Sequence, residues 1–315
     1  MDKYEVKDGV GVITDIVTRI EDKAFWANRE LTSVVIPESV TIIGRSAFEL
    51  CKSLTSLTFP DSLEKIDDSA FQVCTGLNHI VFPKSLKSLG SFAFKECTGL
   101  ISVDIPESLT YIGYETFGKC TALTSVNIPN SVWKIEERAF AECTGLTKVH
   151  IPESVTALGG FTGCTELSSI NIPNSVTEIV IRAFYGCTSL TGIDIPDAVE
   201  RIGDYAFKGC GLTSIVVPES VTEIGEEVFK DCTNLKSASI LAPVKKLSQT
   251  FCNCSSLETV TFGAGIKKIS DAFIGCTALK TINVPAKKGD YYRTRLPEAL
   301  RDLVVELPAE KKAKK

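Results

Sequence analysis

Residues 54 to 76 read Leu54-Thr-Ser-Leu57-Thr-Phe59-Pro60-Asp-Ser62-Leu63-Glu-Lys-Ile66-Asp-Asp-Ser-Ala70-Phe71-Gln-Val-Cys74-Thr-Gly, and Leu77 then begins the same sentence again. Counting Leu54 as position 1, apolar residues stand at positions 1, 4, 6, 10, 13, 17, 18 and 21. The step is 23 residues: Cys51, Cys74, Cys97, Cys120 and Cys143 keep it, as do Pro37, Pro60, Pro83, Pro106, Pro129 and Pro152. Such a period is the signature of a solenoid, in which no single unit can bury its own apolar face and neighbours must stack.

The Phe at position 18 recurs as Phe25, Phe48, Phe71, Phe94, Phe117, Phe140, Phe161, Phe184, Phe207, Phe229, Phe251 and Phe273, which predicts about twelve coils. Positions 4 and 6 alternate with 3 and 5, so Leu-x-x-Ile-x-Ile predicts a short strand with 4 and 6 inward. Pro at position 7 has no N–H for a ladder and ends that strand. Gly at position 14 (Gly44, Gly90, Gly113, Gly159, Gly203, Gly225) suggests a turn at positive φ. Ser at position 9, from Ser39 to Ser220, is expected to bond backbone in the turn.

The 315 residues are 44% hydrophobic and 23% charged, with a formal charge of -5, which excludes a disordered or collagen-like chain. Lys and Arg number 34 against 39 acids, which argues against a nucleic-acid partner. No apolar run reaches the ~18 residues of a transmembrane segment. The opening Met1-Asp2-Lys3-Tyr4-Glu5 does not read as a secretion signal.

Eleven of the twelve Cys occupy position 21, with Cys252 alone off register. In-register neighbours point the same way and do not readily supply a disulfide torsion near 90°, so free thiols are expected. Cys252-Asn253-Cys254 is a weak metal or redox signal. His79 at position 3 and His150 at position 5 stand three rungs apart, roughly 14 Å at about 4.8 Å per rung. They cannot share a metal or serve one reacting atom. No nucleotide-binding, hydrolase or metalloprotease motif is present. The expectation is a non-enzyme with no cofactor, no metal and no catalytic residue.

The pattern Leu-x-x-Ile-x-Ile-Pro-x-Ser-Val-x-x-Ile-Gly-x-x-Ala-Phe-x-x-Cys-Thr, read from Leu123 to Gly145 and from Leu190 to Leu212, resembles the leucine-rich repeat of the BspA-like (treponemal-type) family. The resemblance covers about 17–284. It implies a right-handed, curved leucine-rich repeat solenoid with a parallel β-sheet on the concave face and short strands or 3-10 turns on the convex side. It also implies a bacterial cell-surface adhesin, binding a host matrix protein, a neighbouring cell's protein or a glycan. The unsigned start keeps a cytoplasmic, intracellular interaction scaffold as the alternative. Oligomeric state is not readable from the pattern.

Residues 1–16 are expected to cap the open end and 285–315 to form a C-terminal cap. Leu296 to Leu303 makes a short helix or turn there, and Lys311 to Lys315 a disordered basic tail. A two-residue deletion before Phe161, and one-residue deletions before Leu212, Phe251 and Phe273, are read as local changes in curvature. A candidate contact strip runs along the concave face through position 5: Asp104, Asn127, His150, Asn171 and Asp194, flanked by Lys148 at position 3. A solvated polar face is the plainer reading. Trp26 and Trp133 are read as covering apolar surface, with partner contact as the alternative.

Overall fold

The computed structural model describes residues 3–13, 16–263 and 265–309. The expected basic tail from Lys311 lies outside them. The chain is a parallel β-solenoid of about 13 turns, with two compact units, 1–175 and 176–315.

In the first unit each coil crosses two sheets. Strands Val10–Ile13, Ser33–Val35 and Ser56–Thr58 pair in parallel in the first sheet. Further along, Ser102–Asp104 pairs with Ser125–Asn127, and Lys148–Val149 with Ser169–Ile170. Alternation fixes the faces: Val34 and Ile36 are buried, while Val35 between them is 70% exposed. The second sheet is built from two-residue strands, first Arg19–Ile20, Ile42–Ile43, Lys65–Ile66 and Ser88–Leu89. Tyr111–Ile112, Lys134–Ile135 and Ala157–Leu158 continue it. Val10–Ile13 already belongs to the first sheet and also pairs antiparallel with Tyr4–Lys7. Asp8 and Gly9, at φ 50° and 80°, make the tight turn between them. Tyr4 packs edge-on against Phe25, so the hairpin covers the end of the aromatic stack.

The second unit repeats the plan. Ser214–Val217, Ser237–Ile240, Thr259–Phe262, Thr281–Val284 and Val304–Glu306 form a continuous parallel sheet. Opposite it, Glu178–Ile179, Arg201–Ile202 and Glu223–Ile224 pair in one set, and Lys246–Ser248 and Lys268–Ser270 in another. The helix Gly289–Arg293 and the 3-10 helix Glu298–Leu303 follow the last coil. Tyr292 is fully buried against Phe262, its hydroxyl donating to the Gly263 carbonyl at 2.6 Å.

Between the sheets, successive Phe rings stack with centroids 5.0–5.8 Å apart in the first unit and 5.3–5.8 Å in the second. Ser at position 9 does bond backbone, but reaches one coil back. Ser39 donates to Val17 O at 2.8 Å, and Ser85 to Leu63 O at 2.6 Å. Ser220 Oγ is buried with no partner among the described residues. The Cys side chains likewise reach back, each from Cys51 to Cys164 donating to the carbonyl of a Phe in the preceding coil at 3.0–3.2 Å. All twelve Cys are free thiols.

The expectation of positive φ at the position-14 glycines is corrected. None of Gly44, Gly90, Gly113, Gly159, Gly203 and Gly225 adopts it. The left-handed residues come later, at position 16 (Ser46, Ser69, Phe92, Glu115, Arg138) and position 20 (Leu50, Val73, Glu96, Lys119, Glu142). There the backbone turns so that Ser46, Phe48 and Leu50 N–H groups donate to Asp68, Ala70 and Gln72 carbonyls of the next coil. Those bonds offset a cost of about 1–2 kcal/mol per left-handed residue. At Gly44, Gly90 and Gly225 the glycine allows a close approach instead: a Cβ on Gly90 would stand 2.5 Å from Asp68 N. Asp68 Oδ1 uses that approach to accept the Ser91 N–H at 3.0 Å. Asp22 does the same for Arg45 N–H at 2.9 Å, beside Gly44.

Candidate functional site

The outward face of the first sheet in the first unit carries five of the six strip residues. Asp104 and Asn127 stand directly opposite one another on paired strands, both exposed. Lys148 opens the next pair of strands and His150 follows it, again exposed. Pairing does not run from Ser125–Asn127 to Lys148–Val149, and Val126, whose counterparts Val103 and Val149 are buried, is half-exposed beside that gap. The strip is therefore two paired segments in this unit.

Asn171 is committed elsewhere. Its amide donates to the Ile151 carbonyl at 2.9 Å and its Oδ1 accepts the Ile151 N–H at 2.8 Å. The preceding coil, which holds Ile151, is two residues short before Phe161, and the Asn171 side chain supplies both backbone partners of Ile151 there. Asp194 lies in the second unit, exposed, on a segment that forms no strand. His79 bridges Ser102, and the strands of Asp104 and Asn127 stand between it and His150.

Sequence reasoning missed an apolar part of the same face. Val35 and Val81 are 70% and 68% exposed at position 5. Between their coils Leu57 is half-exposed, although position 4 is inward. Phe59 and Phe82 replace the usual Ile at position 6 in successive coils and stack at 5.9 Å. Beside them Ser56–Thr58 ends its sheet and does not pair with the following rung. A concavity of about 700 Å³ lies there, lined by Leu57, Thr58, Phe59, Val81 and Phe82. The signal was present as Phe at two consecutive position-6 sites, but the break in strand pairing beside them was not.

Away from this face, Glu115 is buried between two cations, Lys95 Nζ and Arg138 Nε, each 2.5 Å from one of its oxygens. Burial alone would raise this carboxyl, but hydrogen bonds from Lys95 and Arg138 overcome it and hold it below its ordinary 4.5. The group ties three coils together. Trp26 and Trp133 are about half-exposed, and Lys23 Nζ lies 5.9 Å from the Trp26 ring centre.

Two stacked sheets around Leu, Phe and Cys columns, with an open strand face, define a leucine-rich repeat scaffold. The family model for the BspA type leucine rich repeat region, itself six repeats long, matches at 18–143, 90–187, 110–236 and 159–280, and the chain belongs to that family. It is similar to a leucine-rich repeat protein from Bacteroides ovatus, 31% identical with a TM-score of 0.66, covering 85% of this chain and 72% of that one. It is also similar to a leucine rich cell surface protein from Faecalibacterium prausnitzii, 30% identical, TM-score 0.57, covering 93% and 88%. A leucine-rich repeat protein from Eubacterium ventriosum, at 22% identity and TM-score 0.54 over 89% and 81%, shares the fold. No curated protein matches the chain. Scaffolds of this family are in general non-catalytic binding proteins. No helix among the described residues is long and apolar enough to cross a membrane.

Proposed function

We propose that the protein is a non-catalytic scaffold at a bacterial cell surface that binds proteins of a host or a neighbouring cell through the first-sheet face of its first unit. The observation carrying this reading is the composition of that face: exposed Val35 and Val81 and the uncovered Leu57 on one side, Asp104, Asn127, Lys148 and His150 on the other. Protein interfaces combine an apolar centre with a polar rim in this way. The face lacks the Trp and Arg anchors of very tight interfaces, so affinity is spread over many modest contacts. Asn171, occupied by Ile151, acts as a brace beside the surface. Asp194 is a separate contact point on the second unit.

The surface placement is supported by the Faecalibacterium relative's description as a cell surface protein. Brief protease treatment of intact and lysed cells, with antibody detection of this chain, tests it. Digestion on intact cells agrees with the reading. Protection until lysis contradicts it and favours an intracellular interaction scaffold.

A further inference from the structure

The second sheet of the second unit ends in an unusual pair of strands. Lys246–Ser248 and Lys268–Ser270 run in register, with Lys246 opposite Lys268 and Ser248 opposite Ser270. Lys245 and Lys267 precede them, and the N–H groups of both Lys267 and Lys268 donate to the Lys245 carbonyl. Four ammonium-bearing side chains, all exposed, therefore occupy two adjacent rungs at about 4.8 Å spacing. Like charges facing each other across strands repel.

Nearby acids do little to relieve this. Glu226 pairs with Lys246 at 3.0 Å, and Glu223 is held by Arg201 at 3.1 Å. Lys245, Lys267 and Lys268 have no ion pair among the described residues. A fifth cation adjoins the tier: Arg295 donates from Nε to the Lys267 carbonyl at 3.2 Å, with its guanidinium 3.5 Å from the centre of the Tyr291 ring. The whole chain carries a net charge of -5, so this concentration is local.

Beside the tier the sheet opens. Glu223–Ile224 does not pair with Lys246–Ser248, and Ile224 is half-exposed although Ile202 and Leu247 at the same position are buried. The opening holds a concavity of about 800 Å³ whose charged lining is balanced, with Glu178, Asp204 and Glu223 facing Arg201, Lys245 and Lys246, so the excess positive charge lies on the tier and not in the cleft.

We propose that this lysine tier, with Arg295 beside it, binds a linear acidic glycan. Cationic side chains stand on two adjacent rungs, which suits a polymer with anionic groups on successive sugars. Ser270, in register with Ser248 on the paired strand, supplies a hydroxyl for a neutral hydrogen bond to a sugar. The site belongs to the second unit and does not depend on the protein-binding face of the first.

Isothermal titration of the whole chain with heparin as probe tests the proposal. Binding is expected, weakening as salt is raised. Replacing Lys245, Lys267 and Lys268 together by Gln is expected to lower affinity by about tenfold or more, with the unfolding temperature kept or raised as repulsion is relieved. Lys267→Gln alone gives a smaller drop, which covers the case of a poorly folding triple variant. Replacing Lys311, Lys312, Lys314 and Lys315 by Gln leaves affinity unchanged. Absence of heparin binding, loss of binding in the tail variant with retention in the triple variant, or binding to anionic lipid vesicles without binding to heparin would each overturn the assignment.

Discussion

The Sγ of Cys97 lies 3.2 Å from the carbonyl oxygen of Phe71, which accepts its hydrogen bond from the preceding coil. The same relation joins Cys120 to Phe94 and Cys143 to Phe117, so the thiol column is a hydrogen-bonded part of the core. Burial pushes these thiols up, to about 11 at Cys51 and about 12 at Cys164 and Cys232. At pH 8 the reactive thiolate is scarce and sheltered. Folded protein is therefore expected to react slowly with a thiol reagent, and unreduced denatured protein to react at all twelve Cys. Few reactive thiols after denaturation would refute the free-thiol column.

Asp68 and Gly90 define a second repeated device. The Cβ missing from the position-14 glycine leaves room for the preceding Asp to accept the next coil's N–H. Gly44→Ala places a methyl about 2.5 Å from Asp22 Oδ1 and 2.7 Å from the Ile20 carbonyl. The expected loss is about 1–3 kcal/mol in chemical denaturation. Gly192→Ala, where nothing lies within 4 Å of the new Cβ, should be neutral or stabilise by up to about 1 kcal/mol. Equal effects at both sites would show that close approach is not the role of position 14.

Glu115 gives a pH dependence with a definite sign. Its carboxyl is held below 4.5 in the folded chain by Lys95 and Arg138 despite burial. The stabilisation is present above the unfolded-state value and is lost as pH falls below it and through the lower folded value. Glu115→Gln is expected to cost about 2 kcal/mol at pH 7 and to flatten the acid limb of stability measured by urea titration below pH 4.5. An unchanged acid limb would mean that the three-residue cluster contributes nothing.

The fold was legible because the 23-residue step repeats the same inward residues, and burial of Leu54, Ile66, Phe71 and Cys74 in one coil follows from the need to stack. The resemblance carried by that motif gave the family. What sequence could not supply was contact across coils. Asn171 looked like one more exposed rung, yet its amide bonds both backbone groups of Ile151 in the shorter coil before it. The position-14 glycines looked like turn residues, while their reason lies in Asp22, Asp68 and Asp204 one coil earlier. The apolar half of the candidate face depends on where the strand pairing breaks after Ser56–Thr58, which a residue pattern does not contain. The paired lysines of the second unit were visible as doublets 22 residues apart, but their register was not.

The most direct test of the protein-binding face is affinity for immobilised host matrix proteins and neighbouring-cell surface proteins, compared between the native chain and two outward-facing variants. Val35→Asp with Val81→Asp, and Asp104→Lys with Asn127→Lys, leave the buried positions 4 and 6 untouched. Surface plasmon resonance is expected to show a partner bound by the native chain and weakened about tenfold or more by each pair, with unfolding temperatures unchanged. Full affinity for that partner in both folded variants, or no bound protein at all, would contradict the account.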